Sequence, residues 1–282
     1  MRGAPPRPPG PRGVPVLHMR GAPRDPRPLC YTQNIMWMDA IDLRDFYATS
    51  LGQVARSVLR RRIRTIWPDV RGLGVLGFGY ATPFLNPFRG EAARVMALMP
   101  ASQGVLHWPP EGGGLTTLVE ESELPFPDLS VDRVLLVHAL ECAEQVRPMM
   151  REIWRVLAGG GRLLVVVPNR SGIWARFERT PFGHGRPYSP GQLSRLLRET
   201  LFTPVHSQAA LFVPPVRSRM VLSSAGALEK IGERGFSTFA GVIMAEATKQ
   251  IYAAQPEAKV KARRTYLPLT QRSPPASTRE FR

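Results

Sequence analysis

Apolar residues change rhythm several times along the chain. From Asp39, Leu51, Val54, Val58, Ile63 and Ile66 recur at roughly helical spacing, Arg56, Arg60, Arg61 and Arg64 gather on the opposite face, and Pro68 ends the run. Beyond it the pattern shifts to short continuous apolar runs, which predict seven strands at 72–77, 94–99, 115–120, 131–137, 162–167, 207–213 and 240–244. Between the fourth and fifth, Val146, Met149, Met150, Ile153, Trp154 and Leu157 share one face of a helix over 144–157, with Gly159, Gly160 and Gly161 read as its C-cap. Ser189 before Pro190 forms an N-cap and first-turn pair for a helix ending near Thr200, and residues 218–235 have a helical pattern.

Strands interleaved with helices predict a parallel α/β sheet, whose ligands bind beyond the carboxyl ends of the strands. Two stretches narrow this further. LPFPDLSVDRVLL (124–136) and REIWRVLAGGGRLLVVVPN (151–169) closely resemble the second half of a class I S-adenosylmethionine-dependent methyltransferase of the type 11 group. The resemblance covers about 72–202 and is strongest over 120–169. It implies a Rossmann-like sheet of seven strands, the last antiparallel between the fifth and sixth.

The net charge of +16 invites a nucleic-acid reading, but its distribution weakens it. Residues 1–35 and 256–282 each carry +5, leaving +6 for everything between. The first 35 residues hold nine prolines and little apolar periodicity, so they are expected to be a disordered extension, with Met36 or Met38 as an alternative start. A helical segment at 36–70, a methyltransferase-like domain at 71–255 and a disordered basic tail at 256–282 complete the expected organisation. The two cysteines, Cys30 and Cys142, make neither a disulfide framework nor a zinc motif, and no metal is expected. No apolar run reaches the ~18 residues of a membrane helix. A cytoplasmic protein is the expectation.

Methyl transfer from a sulfonium asks for a cofactor cradle and a shaped cavity rather than a triad. After the first strand the family has an acid and then Gly-x-Gly-x-Gly. Here Gly77 stands for the acid, and Gly79, Ala81 and Pro83 for the three glycines, with Tyr80 between the first two. The second strand ends in Met99-Pro100, where the family has a ribose-binding carboxylate, so Gln103 or backbone would have to serve. Glu120, with Glu121 beside it, matches the acid that the resemblance places at the adenine amino group. Read without the resemblance, the turn is an ordinary strand-to-helix connection and the two glutamates a solvated acidic turn.

His138 follows the fourth strand and is a candidate general base or pocket-lining residue. In the loop Pro181–Tyr188, His184 and Tyr188 are candidate catalytic residues and Arg186 a clamp for a substrate anion, with a structural loop as the alternative. Asn169, at the end of the fifth strand, is a candidate substrate-binding residue, and Arg170 and Trp174 are weaker ones. The Arg56–Arg64 face reads either as solvated or as a patch for an anionic substrate or RNA. The expected function is S-adenosylmethionine-dependent methyl transfer to a small-molecule acceptor. The alternatives are a non-catalytic methyltransferase-like binding or regulatory module, and an RNA-associated methyltransferase.

Overall fold

In the computed structural model, residues 38–235 and 237–251 are described. The expectations for 1–35, the start codon, Cys30 and the tail from 256 lie outside them.

Two helices open the described chain. Helix α1 (Ala40–Ala48) is capped by Asp39, whose carboxylate accepts from the Ile41 N–H at 2.8 Å. The predicted single helix is broken at Thr49, which closes α1 and caps α2 (Ser50–Ile66) by accepting from the Gly52 N–H at 3.1 Å. No Cβ fits at Gly52, because the Phe46 carbonyl occupies its place. The corner between the helices is therefore tight.

The seven strands are β1 (Gly74–Gly79), β2 (Arg94–Pro100), β3 (Thr116–Val119), β4 (Val131–Val137), β5 (Leu157–Pro168), β6 (Phe202–Ala210) and β7 (Val242–Lys249). They form one sheet in the order β3-β2-β1-β4-β5-β7-β6, parallel except for β7, which runs antiparallel between β5 and β6. This is the class I methyltransferase fold. The short helix α3 (Thr82–Leu85) follows β1, α4 (Val146–Val156) joins β4 to β5, and α5 (Pro190–Glu199) joins β5 to β6. Helices α6 (Arg219–Ser223) and α7 (Ala225–Gly235) lie between β6 and β7.

Side-chain alternation along the strands sorts the core into two layers. Val75, Ala97, Met99, Leu135, Val137, Leu164 and Val166 face α1 and α2, while Leu76, Phe78, Leu98, Val134, Leu136, Leu163 and Val165 face α4 and α5. Every residue of β1 is buried, as expected of a central strand covered on both faces.

Several predicted bounds move. β1 begins two residues later than its apolar run, because Gly72 (φ 73°) still belongs to the turn. Gly159, Gly160 and Gly161 do not cap α4, which ends at Val156; they lie within β5, in the irregular stretch between the Val131–Leu157 and Arg133–Arg162 pairs where the register with β4 shifts. β6 starts five residues earlier than predicted, and β7 extends to Lys249. The helix at Ser189 forms as predicted, with a complete capping box to Gln192.

Candidate functional site

The sheet order reverses between β1 and β4, so a crevice opens at their carboxyl ends. Gly79 closes β1 there with φ 79°. A Cβ on it would run into the Val137 carbonyl and lie 2.8 Å from the Ala139 methyl, so only glycine lets the two strands approach this closely. Gly77 is crowded from the other side: a Cβ would meet Leu85 at 2.6 Å and Ala81 at 2.7 Å. Without large local movement, an acidic side chain has no room at position 77.

Above this turn the crevice is filled by the chain itself. Gln103, 1% exposed, donates from its side-chain amide to the His138 carbonyl at 3.1 Å, and its backbone carbonyl accepts from the Ala40 N–H of α1. Tyr47 of α1 stacks on Tyr80 with ring centroids 5.8 Å apart, and its hydroxyl lies 2.8 Å from His138 Nε2. His138 is itself left-handed (φ 50°), and its Nδ1 faces Glu141 Oε1 at 3.3 Å. The consistent hydrogen placement has Tyr47 donating to Nε2 and Nδ1–H directed at the carboxylate. Glu141 is fully buried and makes no side-chain hydrogen bond, and the imidazole is the one group paired with it by charge among the described residues. Burial pushes the Tyr47 hydroxyl well above its usual range, with Tyr80 and Glu141 adding to the shift.

Two cavities flank this plug. One, of about 520 Å³, lies against Tyr47, Tyr80, Thr82 and Trp108. The other, of about 230 Å³, is lined by Ala101, Ser102, Glu120, Glu121, Ser122, Glu144 and Gln145. Residues 77–165, which include β4 and the crevice at its exit, match the sequence profile of a family described as a methyltransferase domain. The type 11 resemblance is thus matched by a family profile over 77–165. No curated protein sequence matches it. In fold, the chain is similar to an S-adenosylmethionine-dependent methyltransferase from Thermotoga maritima, at 17% identity and TM-score 0.53, covering 74% of this chain and 95% of that one. It is also similar to a chain of the complex between the Haloferax volcanii Trm112 methyltransferase activator and a methyltransferase, at 15% identity and TM-score 0.56, covering 76% and 98%.

The residues of this methyltransferase domain fit the family's cofactor at the two ends of the crevice and not at its centre. Glu120 and Ser102 border a cavity of the right polarity for a base and sugar, and the Gly79 turn has its expected shape. Between them no carboxylate stands at 77 or at 99–101, Met99 is fully buried, and Gln103 holds the carbonyl above the turn. As the side chains stand, the whole cofactor does not fit.

Glu121 differs from the exposed Glu120. It is 7% exposed with one carboxylate oxygen unpartnered, and burial, then Glu144, push its carboxyl up to about 7 against the opposing pull of backbone N–H groups. The folded domain therefore holds a proton that an unfolded glutamate releases near 4.5. Stability should fall as pH rises from about 4.5 to 7 and level off above. Glu121→Gln should melt with the parent at pH 4.5 and above it at pH 8, by on the order of 2 kcal/mol. Equal melting at both pH values would show that the site is open to water.

The loop candidates are placed differently from the crevice. His184 Nε2 lies 2.6 Å from the Glu178 carbonyl, and Arg186 is exposed, with its backbone N–H donated to the Glu141 carbonyl. Tyr188 pairs through its backbone with Pro168 and Asn169, and burial raises its hydroxyl to about 12. The Asn169 amide donates to the Thr238 and Ala240 carbonyls and accepts from the Ser171 N–H, which leaves it a structural tie. Tyr47 and Glu141 were not anticipated. Glu141 could have been found, since it stands three residues after His138; Tyr47 lies 91 residues away and carries no local signal.

Proposed function

We propose that the chain is an S-adenosylmethionine-dependent methyltransferase acting on a small-molecule acceptor, and that its cofactor crevice is shut here by its own residues. The observation that carries this is the continuity of the crevice. Ser102 lines the acidic cavity and Tyr47 the larger one, and the contacts of Gln103 and Tyr47 with His138 join their neighbourhoods above the glycine turn. In this reading the backbone around Gly79 and the side chains of Glu120 and Glu121 would hold the two ends of the cofactor once Gln103 and Tyr47 withdraw, and the cofactor would supply an electrophilic methyl group. His138, oriented by Glu141, takes the proton the acceptor loses once Tyr47 withdraws. The acceptor enters the 520 Å³ cavity, where α1 and Trp108 exclude water.

A second reading, a non-catalytic binding module, is favoured by the absent carboxylates at 77 and 99–101. Calorimetry with S-adenosylhomocysteine separates the two. Removing the plug side chain with Gln103→Ala should tighten binding about tenfold, the effect of one displaced hydrogen bond of ~1.4 kcal/mol. If neither the parent nor the variant binds at millimolar ligand, the binding-module reading replaces the enzyme.

A further inference from the structure

The 520 Å³ cavity has a character that nothing in the methyltransferase fold dictates. The two formally charged side chains that line it are Arg44 of α1 and Arg56 of α2, and no carboxylate does. Arg44 is tied to its neighbour Asp45 at 2.9 Å. Arg56 is half-buried and has no hydrogen bond or ion pair among the described residues, although Arg62 and Arg64 of the same helix pair with Glu233 and Glu91. A guanidinium set into a pocket wall with no internal partner has its N–H donors free to meet an anion. Both arginines also act on the cavity floor. Burial lifts the Tyr80 hydroxyl to about 12, and the charges of Arg44 and Arg56 oppose that rise.

Much of the remaining wall is aromatic or apolar, with Thr82, Asn86 and His107 as its uncharged polar residues. Tyr80 lies parallel to Tyr47, at 10° between planes, and borders the cavity beside Leu106 and Trp108. Trp108 is 6% exposed, carries Arg89 5.6 Å from its ring centroid, and its indole N–H has no partner. A volume of this size is ordinary for a drug-sized ligand.

We propose that this cavity binds a small aromatic carboxylic acid, its ring against Tyr80 and Trp108 and its carboxylate on Arg56. That this ligand is the methyl acceptor rests on the reading above; that it binds does not. Calorimetry with the full chain tests it using 2-naphthoate and its uncharged amide. Naphthoate should bind at least about tenfold more tightly than naphthamide, since a charge-assisted bidentate contact contributes more than ~1.4 kcal/mol. Arg56→Gln should weaken naphthoate about tenfold while leaving naphthamide affinity, melting temperature and S-adenosylhomocysteine affinity unchanged. Equal affinity for acid and amide, or an unchanged affinity in Arg56→Gln, would overturn the proposal. So would inorganic phosphate displacing naphthoate from Arg56 as well as an aromatic acid does, because the ring would then contribute nothing. If naphthoate binds as expected and Gln103→Ala never takes up S-adenosylhomocysteine, the ligand class stands and the enzymatic reading falls.

Discussion

Replacing His138 with Asn is expected to lower the stability of the chain by about 3 kcal/mol, because it strands a buried carboxylate. Asn accepts the left-handed backbone (φ 50°) that His138 adopts, so the loss is not a backbone effect. What disappears is the imidazole between Tyr47 and Glu141, the nearest polar group to a carboxylate 1% exposed and without hydrogen bonds. The Tyr47 hydroxyl also loses its partner. Glu141→Leu alone removes the charge and fills the space with carbon, so it should cost far less. Added to Glu141→Leu, the His138→Asn change should then cost only about 1 kcal/mol, for the Tyr47 bond. Urea unfolding of the parent, the two single variants and the double variant measures the coupling directly. Additive costs would mean that His138 and Glu141 do not communicate, and the role given to His138 as an oriented base would lose its support.

That pair shows where the sequence was legible. The seven strands and the helix opened by Ser189 follow from local pattern, because each is specified by residues close in sequence, while the antiparallel seventh strand between the fifth and sixth comes from the resemblance. The same holds for Gly79, Glu120, Glu121 and His138, which a strand-turn-helix rhythm places at strand ends. The plug was not legible. Tyr47 and Gln103 reach His138 from 91 and 35 residues away; the sequence marks Gln103 only as a stand-in for the missing carboxylate after β2, and nothing local marks Tyr47. The edge strand β6 was placed late because FTPVHSQAA buries only Phe202 and Ala210 fully and leaves Val205 exposed, so apolar content underreports it. His184 and Asn169 looked functional by residue type, yet both serve backbone carbonyls. Polar side chains in a loop are recruited to satisfy that loop's own backbone as readily as to meet a ligand.

The absence of an acid at 77, where the resemblance expects one, agrees with the packing around Gly77. A carboxylate at 77 would need space that Leu85 and Ala81 occupy. Restoring the acid alone, as Gly77→Asp, therefore cannot restore a cofactor contact without first opening the core around Leu85.

Gly79 carries the other large expected effect. Gly79→Ala combines two penalties that a second glycine separates. At φ 79° any side chain meets left-handed strain, on the order of 1 kcal/mol. Gly104 has nearly the same φ, 78°, with nothing within 4 Å of its would-be Cβ, so Gly104→Ala should show the strain alone. At Gly79 the methyl also meets the Val137 carbonyl and the Ala139 methyl, and both obstacles belong to the β4 exit, which is pinned by the sheet and cannot rotate away. Opening β1 from β4 would break ladder pairs at the centre of the molecule, so the total cost should be about 3–5 kcal/mol. Against a typical stability of ~5–15 kcal/mol this leaves a marginal protein. Thermal or urea unfolding should place Gly104→Ala within about 1 kcal/mol of the parent and Gly79→Ala at least ~2 kcal/mol below it. Similar losses in the two variants would mean that the strands part easily at this turn, and that the crevice is held shut by α1 and Gln103 alone.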